Sequence, residues 1–207
     1  KACGLEVRVL TGKEEALLDY SGALQALHVQ DGLMVDIGGG STELVRFREG
    51  KAQCACSLPM GSLNMYTRFV RDVVPTPDEL KEITRHACGL LRDADFPMEE
   101  SAFLYGVGGT CRASCALSDE LYDEQSGYAG YPCKRLKKMR KLLRDDRKRL
   151  VSAIIKAAPD RLHTILPGMA ILEAVATRYG CASFAASPYG VREGYLLHML
   201  EGEAEHE

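Results

Sequence analysis

The 207-residue chain has no apolar run approaching the ~18 to 20 residues that a membrane-spanning helix needs. Its opening, KACGLEVRVL, also lacks the long apolar stretch of a secretory signal. No membrane partner is therefore expected, and the expected location is cytoplasmic. The eight cysteines show no zinc or thioredoxin spacing, since Cys54 and Cys56 are separated by one residue and Cys111 and Cys115 by three. Reduced, structural thiols are the resulting reading. His28, His86, His163, His198 and His206 have no mutual spacing that would build a metal site, and none reads as catalytic. There is no internal repeat and no low-complexity linker. There is no excess of positive charge either, and a net charge of -3 speaks against a general nucleic-acid binder.

What is present is 46% hydrophobic and 27% charged, enough for a sizeable core. The charge is uneven. Between Lys134 and Arg149, ten basic residues face only Asp145 and Asp146, a local balance of +8 that leaves -11 for the rest. Such a run is either a solvated helix face or an electrostatic footprint for a polyanion, for which Lys134, Arg135, Lys137, Lys138 and Lys141 are the candidate contacts.

Residues 5 to 10 alternate like a strand. Thr11 to Glu14 fit a capping box, and a helix is expected over about 12 to 27 with Leu17, Tyr20, Leu24 and Leu27 as its buried stripe. Strands are expected over 32 to 37, 42 to 48 and 51 to 58, joined as an antiparallel meander. After Pro59 a short helix covers 61 to 70. Thr76-Pro77-Asp78-Glu79 then starts a helix whose stripe is Leu80, Ile83, Ala87 and Leu90. Residues 102 to 107 read as a buried strand, followed by a helix capped by Thr110. From Lys134 the chain is largely helical, with interruptions near Pro159 and Pro167, a short strand over 182 to 186 and a last helix over 190 to 200.

The most informative stretch is Val35 to Leu44. An aspartate ends a buried strand, three glycines follow, then a hydroxyl pair and a glutamate. Three glycines in a row cost several times ~1 kcal/mol of chain entropy relative to alanine, so a plain turn is a poor reason for them. Asp36 and Glu43 are placed to hold a divalent cation or its water, and Gly38, Gly39, Gly40, Ser41 and Thr42 to hold phosphoryl oxygens. A second glycine loop, Gly106 to Thr110, again joins a strand to a helix start, where free amides and the helix dipole favour an anion. Glu14 is explained by the capping box, whereas Glu15 is either a carboxylate base or a surface residue. Arg192 and Glu193 are open between a cap or salt bridge and a phosphate contact.

GKEEA (12 to 16), VDIGGGSTELV (35 to 45), SLPMGS (57 to 62), GVGGT (106 to 110), ILPGMAIL (165 to 172) and YGVREGYL (189 to 196) together resemble the exopolyphosphatase and guanosine pentaphosphate phosphohydrolase (Ppx/GppA) family. The resemblance implies an α/β, ribonuclease H-like domain of the actin-like ATPase superfold, with a mixed sheet, an antiparallel three-strand meander and flanking helices. It implies removal of terminal phosphate from polyphosphate or guanosine pentaphosphate with Mg2+ or another divalent cation. Glu15 would then orient or deprotonate the attacking water, with Glu43 sharing the catalytic work. Asp36 and Glu43 would hold metal and water, and Gly38 to Ser41 with Gly108, Gly109 and Thr110 would form the phosphate loops. Where the family has an aspartate before the IxPG stretch, this chain has His163. By the same resemblance, residues 1 to 28 correspond to a remnant of a first domain, 29 to 200 to the second domain and 201 to 207 to an acidic tail. The strand-like beginning without Met reads as truncation that removes the facing domain and impairs activity, and an unpaired first strand makes a homodimer conceivable. A non-catalytic alarmone- or nucleotide-sensing domain is the alternative, and a sugar or acetate kinase of the same superfold is disfavoured by GKEEA and GVREG.

Overall fold

A computed structural model describes the backbone of residues 9–204 and the side chains of 9–200. In chain order the elements are α1 (Gly12–Leu24), β1 (Gly32–Ile37), β2 (Thr42–Arg48), β3 (Lys51–Leu58), α2 (Ser62–Phe69), α3 (Pro77–Asp93), β4 (Phe103–Val107), α4 (Gly108–Tyr122), β5 (Tyr131–Pro132), α5 (Lys134–Asp145), α6 (Arg147–Ala157), α7 (Ile165–Arg178), β6 (Ser183–Ala186) and α8 (Val191–Ala204). Among the described residues the sheet order is β3-β2-β1-β4-β6-β5. β1, β2 and β3 form the antiparallel meander, while β4 joins β1 and β6 joins β4 in parallel. This is the mixed sheet of a ribonuclease H-like fold.

Strand periodicity divides the sheet into two faces. Leu33, Val35, Ile37 and Leu104 pack into the larger core, with α3, α4, α6 and α7. Met34, Val45, Phe47, Tyr105 and Val107 point the other way and are covered by Ala16, Tyr20 and Ala23 of α1. Both expected capping boxes form: the side chains of Thr11 and Thr76 accept from the amides of Glu14 and Glu79, whose carboxylates reach back to the threonine amides.

Several expectations change. Most of the strand over 5 to 10 lies outside the described residues; Val9 and Leu10, which are described, belong to no strand. The first helix ends at Leu24, and its buried face is Ala16, Asp19, Tyr20, Gly22 and Ala23, with Leu17 exposed. Small residues win here because α1 is pressed against both the sheet and α8. In α3, Leu91 rather than Leu90 completes the buried stripe. Pro167 does not interrupt a helix: it lies in the first turn of α7, where its missing N–H costs no bond. The helix after β4 begins at Gly108, so Thr110 stands inside it and the cap residue is Val107. Two-residue β5, too short to carry a periodic signal, was not expected.

α1 and α8 touch backbone to backbone. A Cβ added to Gly22 would lie 2.1 Å from the Gly190 carbonyl oxygen, and one added to Gly194 would lie 1.8 Å from that of Leu18. Beside this crossing a groove of about 550 Å³ is lined by Leu10, Leu17, Leu24, Tyr195 and Leu197. No helix among the described residues is long and apolar enough to cross a membrane. The prediction is that Gly194→Ala forces the helices apart, costs about 1–3 kcal/mol and lowers the melting temperature by about 5 °C, read by calorimetry. An unchanged melt would show that the crossing tolerates a side chain.

Candidate functional site

β1 and β4 run parallel, with Asp36 in register with Val107, so the Gly38–Ser41 turn and the start of α4 meet at one edge of the sheet. Asp36 lies opposite Glu43 in the antiparallel pair, and both belong to the face that α1 covers. On α1, Glu15 and Asp19 are one turn apart and share a side of the helix. One carboxylate oxygen from each of Glu15, Asp19 and Asp36 lies within 4.8 Å of the other two. Glycines make room for this cluster. Gly108 has φ +81°, and a Cβ there would lie 2.2 Å from Asp36 Oδ1. A Cβ on Gly190 would come within 3.1 Å of Asp19 Oδ1.

Asp19 is 1% exposed. The amide of Val191 donates to it, and its carboxyl lies within hydrogen-bonding reach of Asp36. Burial, and then the Asp36 charge, push the Asp19 carboxyl up to about 9. Burial also raises Asp36, and the nearby Glu15 charge adds to that, while the hydrogen bond with Asp19 and the Arg112 charge oppose it. Asp19 Oδ2 and Asp36 Oδ1 are both buried without a hydrogen-bond partner among the described residues. Glu43 stands slightly apart. Its Oε1 accepts from Ser57 Oγ at 2.6 Å, and burial raises its carboxyl against the hydrogen bonds of Ser57 and Ser41.

The first glycine turn is held from behind. The Gly38 carbonyl accepts from the amide and hydroxyl of Ser62 at 2.8 and 3.1 Å, and that of Gly39 from the amides of Leu63 and Asn64 at 3.0 Å. With its carbonyls turned to α2, the loop presents bare backbone outward at the exposed Gly39 and Gly40. None of Gly38, Gly39 and Gly40 has a left-handed φ, and a Cβ on Gly40 would meet nothing within 4 Å. Neither backbone conformation nor crowding inside the chain requires glycine at Gly40. Thr42 and Thr110 serve the wall behind the loops: the Thr42 hydroxyl donates to the Met60 carbonyl and that of Thr110 to the Ile37 carbonyl at 3.0 Å. At the second loop a Cβ on Gly109 would lie 2.1 Å from Arg161 Nη2, which places a guanidinium at the α4 N-terminus.

Other candidates fall elsewhere. Arg135 is bound by Glu124, at 2.9 Å between Nη2 and Oε1, and by Ser118. Lys134 and Lys137 border a small pocket with Cys181, next to the N-terminal end of β6 and so at the end of the sheet away from Gly108. Lys138 and Lys141 are exposed on the same helix, whose buried side is Leu136, Met139 and Leu143. Glu193 accepts from the Gly190 amide at 2.9 Å, the capping role, while Arg192 is exposed. His163 packs edge-on against Tyr66 at 5.1 Å. Asp19 and Arg161 are the residues that sequence reasoning did not place in the site. For Asp19 the only sequence signal is its place four residues after Glu15, since the covered face of α1 is not the one that leucine spacing marks.

Fold and site together define a class first: a ribonuclease H-like domain that gathers carboxylates and glycine loops where β1 and β4 end. The family is narrower. The chain belongs to the Ppx/GppA phosphatase family, which matches residues 1–203. Among solved structures it is similar to a Ppx/GppA enzyme of Aquifex aeolicus, at 26% identity and TM-score 0.75, over 96% of this chain and 67% of that one. It also shares the fold of an exopolyphosphatase from Cytophaga hutchinsonii, at 22% identity and TM-score 0.79, over 96% of this chain and 66% of that one. The chain thus spans about two thirds of the length of these structures.

A carboxyl raised from its ordinary 3.8 to about 9 holds a proton in the folded protein that the unfolded chain has released. Stability without divalent cations should therefore fall as the pH is raised from about 5 to about 9. Asp19→Asn should flatten that fall, as measured by melting temperature against pH in chelator. Parallel profiles for both proteins would contradict the assignment of the proton to this pair.

Proposed function

We propose that this site hydrolyses a terminal phosphoanhydride, with polyphosphate and guanosine pentaphosphate as the substrates of matching chemistry. The observation that carries the reading is the Gly38–Gly40 turn: its bare backbone faces outward beside the Glu15 and Asp36 carboxylates, although Gly40 has no structural need to be glycine. The Gly38 amide is taken by the Ser41 carbonyl, but accessible backbone at Gly39 and Gly40 suits phosphoryl oxygens, and the α4 N-terminus with Arg161 and Arg112 adds positive potential on the other side.

Phosphoanhydride hydrolysis through a loose transition state needs neutralised charge and an aligned water more than a covalent nucleophile. Glu15 is the group proposed to orient that water or take its proton. The residues also fit a divalent cation such as Mg2+, because Asp36 Oδ1 is a hard oxygen donor buried without a partner. Asp36 would hold the ion, and Glu43, fixed by Ser57, would position water next to it. When bound, the cation would neutralise phosphoryl charge. The reading retains a first domain, with its own phosphate loop, facing this second one. The groove beside α1 and α8, where leucines stand among Glu14, Ser21, Gln25 and His198, supports such a neighbour, and positioning between two walls would supply much of the rate. The exposed lysines of α5 are proposed as outlying contacts for a long polyanion, away from the carboxylates.

The test is phosphate release from long polyphosphate and from guanosine pentaphosphate, with and without Mg2+, by the full-length protein and its Glu15→Gln variant. The variant should lose at least ~100-fold in kcat with its fold intact. Unimpaired release would remove Glu15 from the role. Tight binding of guanosine pentaphosphate with no turnover would favour the sensing alternative.

A further inference from the structure

Asp19 is unusual for its surroundings. The rest of the α1 face that meets the sheet is Ala16, Tyr20 and Ala23, and an apolar side chain would suit that position better than a carboxylate. Yet Asp19 is 1% exposed, and its Oδ2 has no hydrogen-bond partner among the described residues. The Val191 amide satisfies the group only in part. It sits within reach of Asp36, whose Oδ1 is likewise buried without a partner, and Glu15 brings a third oxygen into the same 4.8 Å cluster. Gly108 and Gly190 keep side chains away from both aspartates. Two buried carboxylates side by side repel unless something positive lies between them. A hard divalent cation, taking carboxylate oxygens at about 2.0–2.6 Å, answers both at once.

We propose that Asp19 is itself a ligand of the divalent cation, which it would hold together with Asp36, leaving the nearby Glu15 and Glu43 directed to water. This rests on the metal-assisted reading given above. It puts a buried carboxylate from α1 beside Asp36 in place of Glu43, the other metal candidate of the motif, and it makes the position of α1 a condition of metal affinity.

The experiment is a Mn2+ titration of the full-length protein, followed by the electron paramagnetic resonance signal of the free ion, with no substrate present. One site is expected in the wild type. Asp19→Asn, of equal size and still able to accept from the Val191 amide, should bind Mn2+ at least 10-fold more weakly while its circular dichroism and melting in chelator show a folded protein. If that variant does not fold, Asp19→Ser, which also fits the space, carries the same comparison. A folded variant that binds Mn2+ as tightly as the wild type overturns the role of Asp19 and leaves the metal-assisted reading standing. A wild type that takes up no Mn2+ overturns both.

Discussion

Two aspartates brought together away from water impose the condition that the surrounding elements meet. Asp19 comes from a helix and Asp36 from the central strand, and burial raises both, with the Asp36 charge adding to the rise of Asp19 and the Glu15 charge to that of Asp36. Ala16, Tyr20 and Ala23 hold α1 on the sheet, the hydrogen bond with Asp19 offsets part of the rise of Asp36, and the Val191 amide offers Asp19 another. Gly108, with its left-handed φ, removes the side chain that would otherwise occupy the place of Asp36 Oδ1. Stability has been given up locally to keep acidic oxygens close, as functional sites commonly do.

The two glycine loops solve different problems. At Gly108 and Gly109 the missing side chains are filled by the chain's own groups, Asp36 and the Arg161 guanidinium. At Gly40 the space is left open. One loop is therefore glycine because of what is folded there and the other because of what it leaves accessible. Thr42 and Thr110, buried and bonded to carbonyls of neighbouring segments, keep the two loops in register.

Much of this was legible in the sequence. The meander strands begin and end where their alternation places them, and both threonine capping boxes form as read. The order of the motifs pointed to the family. Periodicity alone could not give the α1 face, because leucines at helical spacing usually mark a buried stripe, whereas here close approach to α8 selects glycine and alanine and leaves Leu17 outside. Asp19 is hidden from the sequence because a carboxylate four residues from another reads as surface unless the covered face is known. Thr110 reads as a cap because helix starts favour threonine, but α4 begins two residues earlier, on a glycine whose positive φ disfavours threonine.

The crossing of α1 and α8 has a consequence for how the molecule comes into being. Gly22 and Gly194 are about 170 residues apart, so their contact closes one of the longest loops in the chain. During synthesis Glu15 and Asp19 emerge well before the amide that Val191 gives to Asp19. Contacts of such long range form late, after the local helices and the meander. A growing chain would thus hold its glycine turns before its acid cluster, which would be complete only once α8 had docked.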